Sequence, residues 1–281
     1  MSRTARRYQE TENRTNVKET ECYYVGIYSR LSVDNHDRKA ESVENQIEII
    51  NQFIHENNEK TEEDNSYLFK DLDIGKSGEE YAEYMAQYPV INISLKSMKK
   101  PSYEFAFAEF KRIMSKEFDR HSDVIKSDKL SQLEKEEFEN IHNKKAEEVT
   151  YFSSISFLSD CLYKAYNKKV IILIDEYDVP LENAYFEGFY KPMVDLIRSA
   201  FESALKTNNS LEFAVITGCL RISKESIFTG LNNFKINTIT SHNYSNYFGF
   251  TDTEVETIMN YYNVYSHFND IKEWYNGYIF G

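Results

Sequence analysis

Five apolar residues in succession, Val170-Ile171-Ile172-Leu173-Ile174, leave no polar face in that part of the chain. Such a run predicts a central strand of a parallel sheet, covered on both sides. Shorter runs of the same kind predict further strands at Tyr23–Tyr28, Val90–Leu95 and Phe213–Thr217. Between them the period changes from strand to helix. Val43, Ile47, Ile50 and Ile54 recur at helical spacing, and Pro101-Ser102 opens a long helix whose apolar residues include Phe105, Ile113 and Phe118. Ser131 with Glu134 forms a capping-box pattern that starts a charged, exposed helix reaching about Val149. Helical stretches at about 152–166 and 186–206 flank the Val170 strand, and Thr251 with Glu254 repeats the capping box before helices that run to Trp274.

Strands alternating with helices predict an α/β fold with a parallel sheet and right-handed crossovers. Residues 1–21 are polar and without periodicity, and read as a disordered leader. A β-loop-α unit spans 22–58, the main sheet-forming region 61–245, and the start of a small helical subdomain, truncated, 246–281.

Composition narrows the classes of function. A chain of 281 residues with 41% hydrophobic content can bury a large core. A net charge of -13 argues against broad adhesion to DNA or anionic lipid, so DNA is not an expected partner of this chain alone. Cys22, Cys161 and Cys219 are widely spaced and the six histidines scattered, which signals neither a disulfide framework nor a zinc site. With no apolar run of membrane-spanning length and no signal-peptide core, the chain reads as cytoplasmic, with no membrane partner.

Asp175 and Glu176 stand at the carboxyl end of the apolar run. Open α/β sheets bind ligands at that edge. Two acids there suit a phosphoryl-transfer site, the first holding Mg²⁺ through water and the second orienting the water that attacks a γ-phosphate. The plainer alternative is a buried strand ending in a solvated acidic turn. Asp178 reads as a turn former, and Trp274, Tyr275 and Tyr278 as core of the helical end or, less commonly for aromatics, a partner surface. The tripeptide Gly75-Lys76-Ser77 lacks the context of a phosphate loop: Lys70 stands where the first glycine belongs, and Glu79-Glu80 would repel phosphate.

From about Thr61 to Gly281 the chain resembles the bacterial AAA-ATPase-like proteins. The likeness rests on YMAQYPVINISLKS, KVIILIDEYDVPLENAY, FAVITGCLRISKESIFTGLNN, NYFGFTDTEV and KEWYNGYIFG, in that order. It implies a three-layer P-loop NTPase-like parallel sheet with helices on both faces, followed by a small helical subdomain, and ATP and Mg²⁺ as cofactors. Residue by residue it makes Asp175 and Glu176 the Walker B pair. Thr217 and Arg221 fall where a sensor polar group or arginine faces the γ-phosphate, although Arg221 reads equally well as an arginine bracing a loop. The departure is the phosphate loop itself: no GxxxxGK[ST] occurs in the sequence, and the family carries one upstream of the YLFK region.

In its place stands YYVGIYSRLSVDNHDRKAESVENQIEIINQFI, which resembles the first strand and helix of serine recombinases of mobile elements. That resemblance makes Ser32 the nucleophile on a DNA phosphodiester and Arg30 a cation for the phosphate. Only about 35 residues carry it. The later arginines of that family's site have no counterpart here, which favours reading Ser32 as a loop serine.

Three functions follow in order: an AAA-ATPase-like protein that binds nucleotide at most weakly and turns it over slowly or not at all; DNA strand exchange through Ser32, or a remnant of it; and a non-enzymatic fusion product. The junction carries a structural expectation of its own. The Val25–Tyr28 strand should fill a vacant central position beside the Phe213 strand, with Ser29–Arg38 where the phosphate loop would lie.

Overall fold

A computed structural model describes residues 84–206, 208–219, 235–238, 240–242 and 249–275, together with 25, 26, 76, 78, 79, 227 and 277. Among the described residues four strands form one parallel sheet: β1 (Val25–Gly26), β2 (Val90–Ser94), β3 (Val170–Asp175) and β4 (Leu211–Ile216), in the order β1-β4-β3-β2. The fold is α/β with helices on both sides of the sheet. Ser29–Arg38 and the leader lie outside the described residues.

The β3 run pairs on both edges, as its unbroken apolar sequence requires. Its two faces differ, however: Val170, Ile172 and Ile174 are fully buried, whereas Ile171 and Leu173 are half-buried. Register explains the inner face, because Ile91, Ile172 and Ala214 align across β2, β3 and β4, and Ile93, Ile174 and Ile216 align one pleat further on. Two rows of small and branched side chains give a surface on which helices can pack. Val25 and Gly26 pair with Ala214 and Val215, beside the Phe213 strand. Among the described strands β1 is outermost.

Helix α1 (Tyr103–Arg120) follows β2. Its buried stripe is Ala106, Phe107, Phe110, Met114 and Phe118, at helical spacing. Phe105, expected on that stripe, is 63% exposed. Aromatic residues at 105, 107 and 110 leave the phase open in the sequence, and the packing selects the latter two. Phe118 meets Phe138 at 4.8 Å between ring centroids and Phe157 at 6.3 Å, which joins α1 to α2 (Gln132–His142) and α4 (Ser154–Tyr166).

Helix α2 starts where its capping box predicts, with both reciprocal bonds between Ser131 and Glu134 present. It ends at His142, short of Val149, and the chain re-enters a helix at α3 (Glu148–Phe152). It is also not a wholly exposed helix, since Phe138 and Ile141 are buried. The helix expected at 186–206 is two: α5 (Val179–Glu187) and α6 (Tyr190–Leu205). Gly188, at φ 83°, caps α5 in the left-handed conformation and turns the chain between them.

The outer edge of β2 is closed by α1. Asn92 N–H donates to Glu117 Oε1 at 2.8 Å, and Arg120 donates to Val90 O. His121 Nε2 lies 3.1 Å from Val90 O and 3.4 Å from Glu117 Oε1. A carbonyl only accepts, so Nε2 carries the hydrogen. These side chains take the place of a neighbouring strand, which removes the hazard of an open edge. Burial opposes ionisation of Glu117, yet hydrogen bonds from His121 and Arg120, and their charges, hold its carboxyl below the ordinary value.

Toward the end, α7 (Asp252–Tyr261) begins with the second capping box and α8 (Phe268–Tyr275) follows. Trp274 is 83% exposed and Tyr275 72%, so neither is core among the described residues. Tyr278 lies outside them.

Candidate functional site

The carboxyl edge of the sheet gathers Asp175, Glu176 and Thr217. Asp175 is the last residue of β3, and its backbone oxygen accepts from Leu95 N–H at 3.0 Å, so the β2–α1 connection begins alongside it. Thr217 follows β4 and reaches back across the edge by three bonds. Its N–H donates to Ile174 O at 2.8 Å, its carbonyl accepts from Tyr177 N–H at 3.1 Å, and its hydroxyl donates to Asp175 Oδ1. One threonine thus ties down residues 174, 175 and 177.

Glu176 sits between those tethers with φ 53°. A left-handed backbone is uncommon for a residue with a side chain and persists where the surroundings enforce it. The chain turns there, and Val179 N–H closes the turn on Glu176 O at 3.3 Å. Asp178 is buried at the start of α5, and its carbonyl accepts from Leu181 and Glu182 N–H. Pro180 in the first turn suits a helix start, because its missing N–H would have no intrahelical partner. Asp178 thus stands at the turn where α5 begins.

Asp175, Glu176 and Thr217 are brought together by two adjacent strands and one turn. Arg221, Arg30 and Ser32 lie outside the described residues. Reading the sequence missed Gly218, which packs directly against Tyr177 and Asp178. Its signal was the glycine immediately after the threonine in Val215-Ile216-Thr217-Gly218, at a strand end where a backbone can approach a neighbour closely. Among the described residues no group of three or more His, Cys, Asp or Glu is placed to hold a metal ion by itself.

Residues 47–228 match the family described as "Predicted AAA-ATPase". The chain belongs to this family. The matched region contains β2, β3, β4 and the whole of the acidic edge. It begins at residue 47, inside the segment likened to recombinases, and ends at 228, before the helices α7 and α8. A protein of Azotobacter chroococcum mcd 1, described as an uncharacterized protein in the vnfD 5′ region, is 31% identical over 117 residues. That stretch is 41% of this chain, and the chain spans 22% of the length of that relative. No solved structure matches the chain. Among the described residues no helix is long and apolar enough to cross a membrane.

Proposed function

We propose that this AAA-ATPase family member carries the Walker B half of a nucleotide site on a P-loop NTPase-like sheet, binds nucleotide weakly, and turns it over very slowly or not at all. The observation that carries the reading is the bond from the Thr217 hydroxyl to Asp175 at the carboxyl edge of a parallel sheet. Ligands bind at such edges, and here two neighbouring strands present an acid and a hydroxyl in contact. Carboxylate oxygen is a hard donor of the kind Mg²⁺ takes, commonly through its waters, so Asp175 fits the ion. Bound with a nucleotide, Mg²⁺ supplies positive charge that offsets the β- and γ-phosphates.

Within this reading Asp175 anchors the ion, Thr217 fixes the Asp175 carboxylate, and Glu176 orients a water beside the terminal phosphate. Arg221 is the candidate cation for that phosphate. The limit comes from the sequence: without GxxxxGK[ST], neither the lysine nor the backbone nest that cradles the phosphates is present. The pairing of Val25–Gly26 with β4 supports the idea that the recombinase-like unit occupies the place of the strand and phosphate loop. Its Arg30 and Arg38 would then attract an anion without enclosing it.

Calorimetric titration with ATP, with and without Mg²⁺, tests the proposal. Weak binding that depends on Mg²⁺ and is lost in Asp175→Ala is the expected result. No binding at millimolar nucleotide overturns the site. A Mg²⁺-dependent ATPase rate abolished by both Asp175→Ala and Glu176→Gln overturns the statement that turnover is absent or very slow.

A further inference from the structure

Gly218 is buried, and a Cβ on it would lie 2.6 Å from Asp178 Oδ1, 2.6 Å from Tyr177 Cε1 and 2.7 Å from Tyr177 Cδ1. All three distances are far inside van der Waals contact. Neither neighbour has room to retreat, because Tyr177 is fully buried and Asp178 is 2% exposed. Glycine is required here for space, to let a backbone pass close under a ring and a carboxylate. The ring and the carboxylate belong to the two residues that follow Glu176.

We propose that Gly218 is a positioning residue for Glu176, coupling the end of β4 to the turn that presents the glutamate. The proposal rests on reading Asp175 and Glu176 as the acidic pair of a nucleotide site. Thr217 holds the turn from the β3 side, through Ile174 O, Asp175 Oδ1 and Tyr177 N–H. Gly218 holds it from the α5 side, by admitting Tyr177 and Asp178. Between two fixed flanks, the left-handed backbone at Glu176 has little freedom to relax. A displacement of the chain after β4 would therefore turn Glu176 relative to Asp175. The position of that segment and the activity of the acidic pair become one variable.

The test combines hydrogen exchange with nucleotide titration on the full chain. In Gly218→Ala, the peptide carrying the Tyr177 amide should exchange about tenfold faster, while peptides from α2 and α4 keep wild-type protection. The same variant should need more Mg²⁺ for half-maximal nucleotide binding, because the turn it moves is joined to Asp175, which anchors the ion and is bonded to the neighbouring Thr217. A role confined to stability would lower the Tm and leave the Mg²⁺ requirement of the folded protein unchanged. Should Gly218→Ala fail to fold, Asp178→Ala removes one of the two contacting groups and should also speed exchange of the Tyr177 peptide. Wild-type protection there, in either folded variant, overturns the proposal. A wild type that shows no Mg²⁺-dependent binding overturns the functional reading instead, and exchange alone then decides the positioning claim.

Discussion

Thr217 donates its hydroxyl hydrogen to Asp175 Oδ1, joining the residue after β4 to the last residue of β3. Both are half-buried, so the bond replaces part of the water the carboxylate loses at the sheet edge. Bonds to a charged acceptor are worth about 1.5–3 kcal/mol when one partner is deleted. Thr217→Val keeps the shape and removes the donor. Urea denaturation should show it destabilised by about 1.5 kcal/mol, the low end, because Asp175 retains access to water. Thr217→Ser should lie close to wild type.

The start of α2 offers an independent check on a local signal. Ser131 Oγ accepts from Glu134 N–H at 3.3 Å, and Glu134 Oε2 accepts from Ser131 N–H at 2.9 Å. Glu134 also bonds Lys164 of α4, and that bond, with those from Ser131, holds its carboxyl below the ordinary value. Ser131→Ala should cost about 1 kcal/mol, read as a lower Tm. Lys164→Met should cost less, since an exposed ion pair contributes little.

Cys161 lies on the buried face of α4, where burial pushes its thiol up to about 12. The thiolate is the reactive form, so at pH 8 about one Cys161 in ten thousand is ionised. Alkylation mapped by mass spectrometry should leave Cys161 unlabelled in the native protein and label it fully in urea. Cys219, half-exposed, should react first of the two.

The strand carrying the site was legible because nothing in Val170–Ile174 suits water, and the capping boxes because the pattern and its geometry are local. Where the chain offered several phases, tertiary contact decided. Gly188 sits in an otherwise helical stretch, and only the packing of α5 on α6 shows that it ends one helix. Glu117, Arg120 and His121 fall at the spacing of any solvated charged face. Their place against the open edge of β2 is a long-range fact, 25 residues away for Asn92 and 30 for Val90. Thr217 and Asp175 were each marked by their strands, but the three bonds that bracket Glu176 depend on the β3–β4 register, which the sequence does not state. Residue type alone leaves Trp274 either core or partner surface, because a large aromatic side chain says nothing of which side of a helix faces solvent.

Acid should act on this protein in part through Glu117, one of several carboxyls, Glu109 and Glu134 among them, held below the ordinary value. Glu117 is 6% exposed and bonded by Arg120 Nε at 3.0 Å, with His121 and Asn92 N–H on its other oxygen. Its folded value lies below the ordinary 4.5, so the carboxylate binds its proton less readily in the folded state than in the unfolded one. Its contribution to stability is therefore complete above 4.5 and is lost as pH falls through the lower folded value. Removing one member of a buried pair leaves the other charge uncompensated. Glu117→Gln should thus be about 3 to 5 kcal/mol less stable than wild type at pH 7. Urea titrations at a series of pH values check both statements. The gap between wild type and variant should stay constant above 4.5 and narrow below it, because protonated Glu117 and glutamine are then alike in charge. A gap that does not change down to pH 3 would show that the pair is held by shape and not by charge.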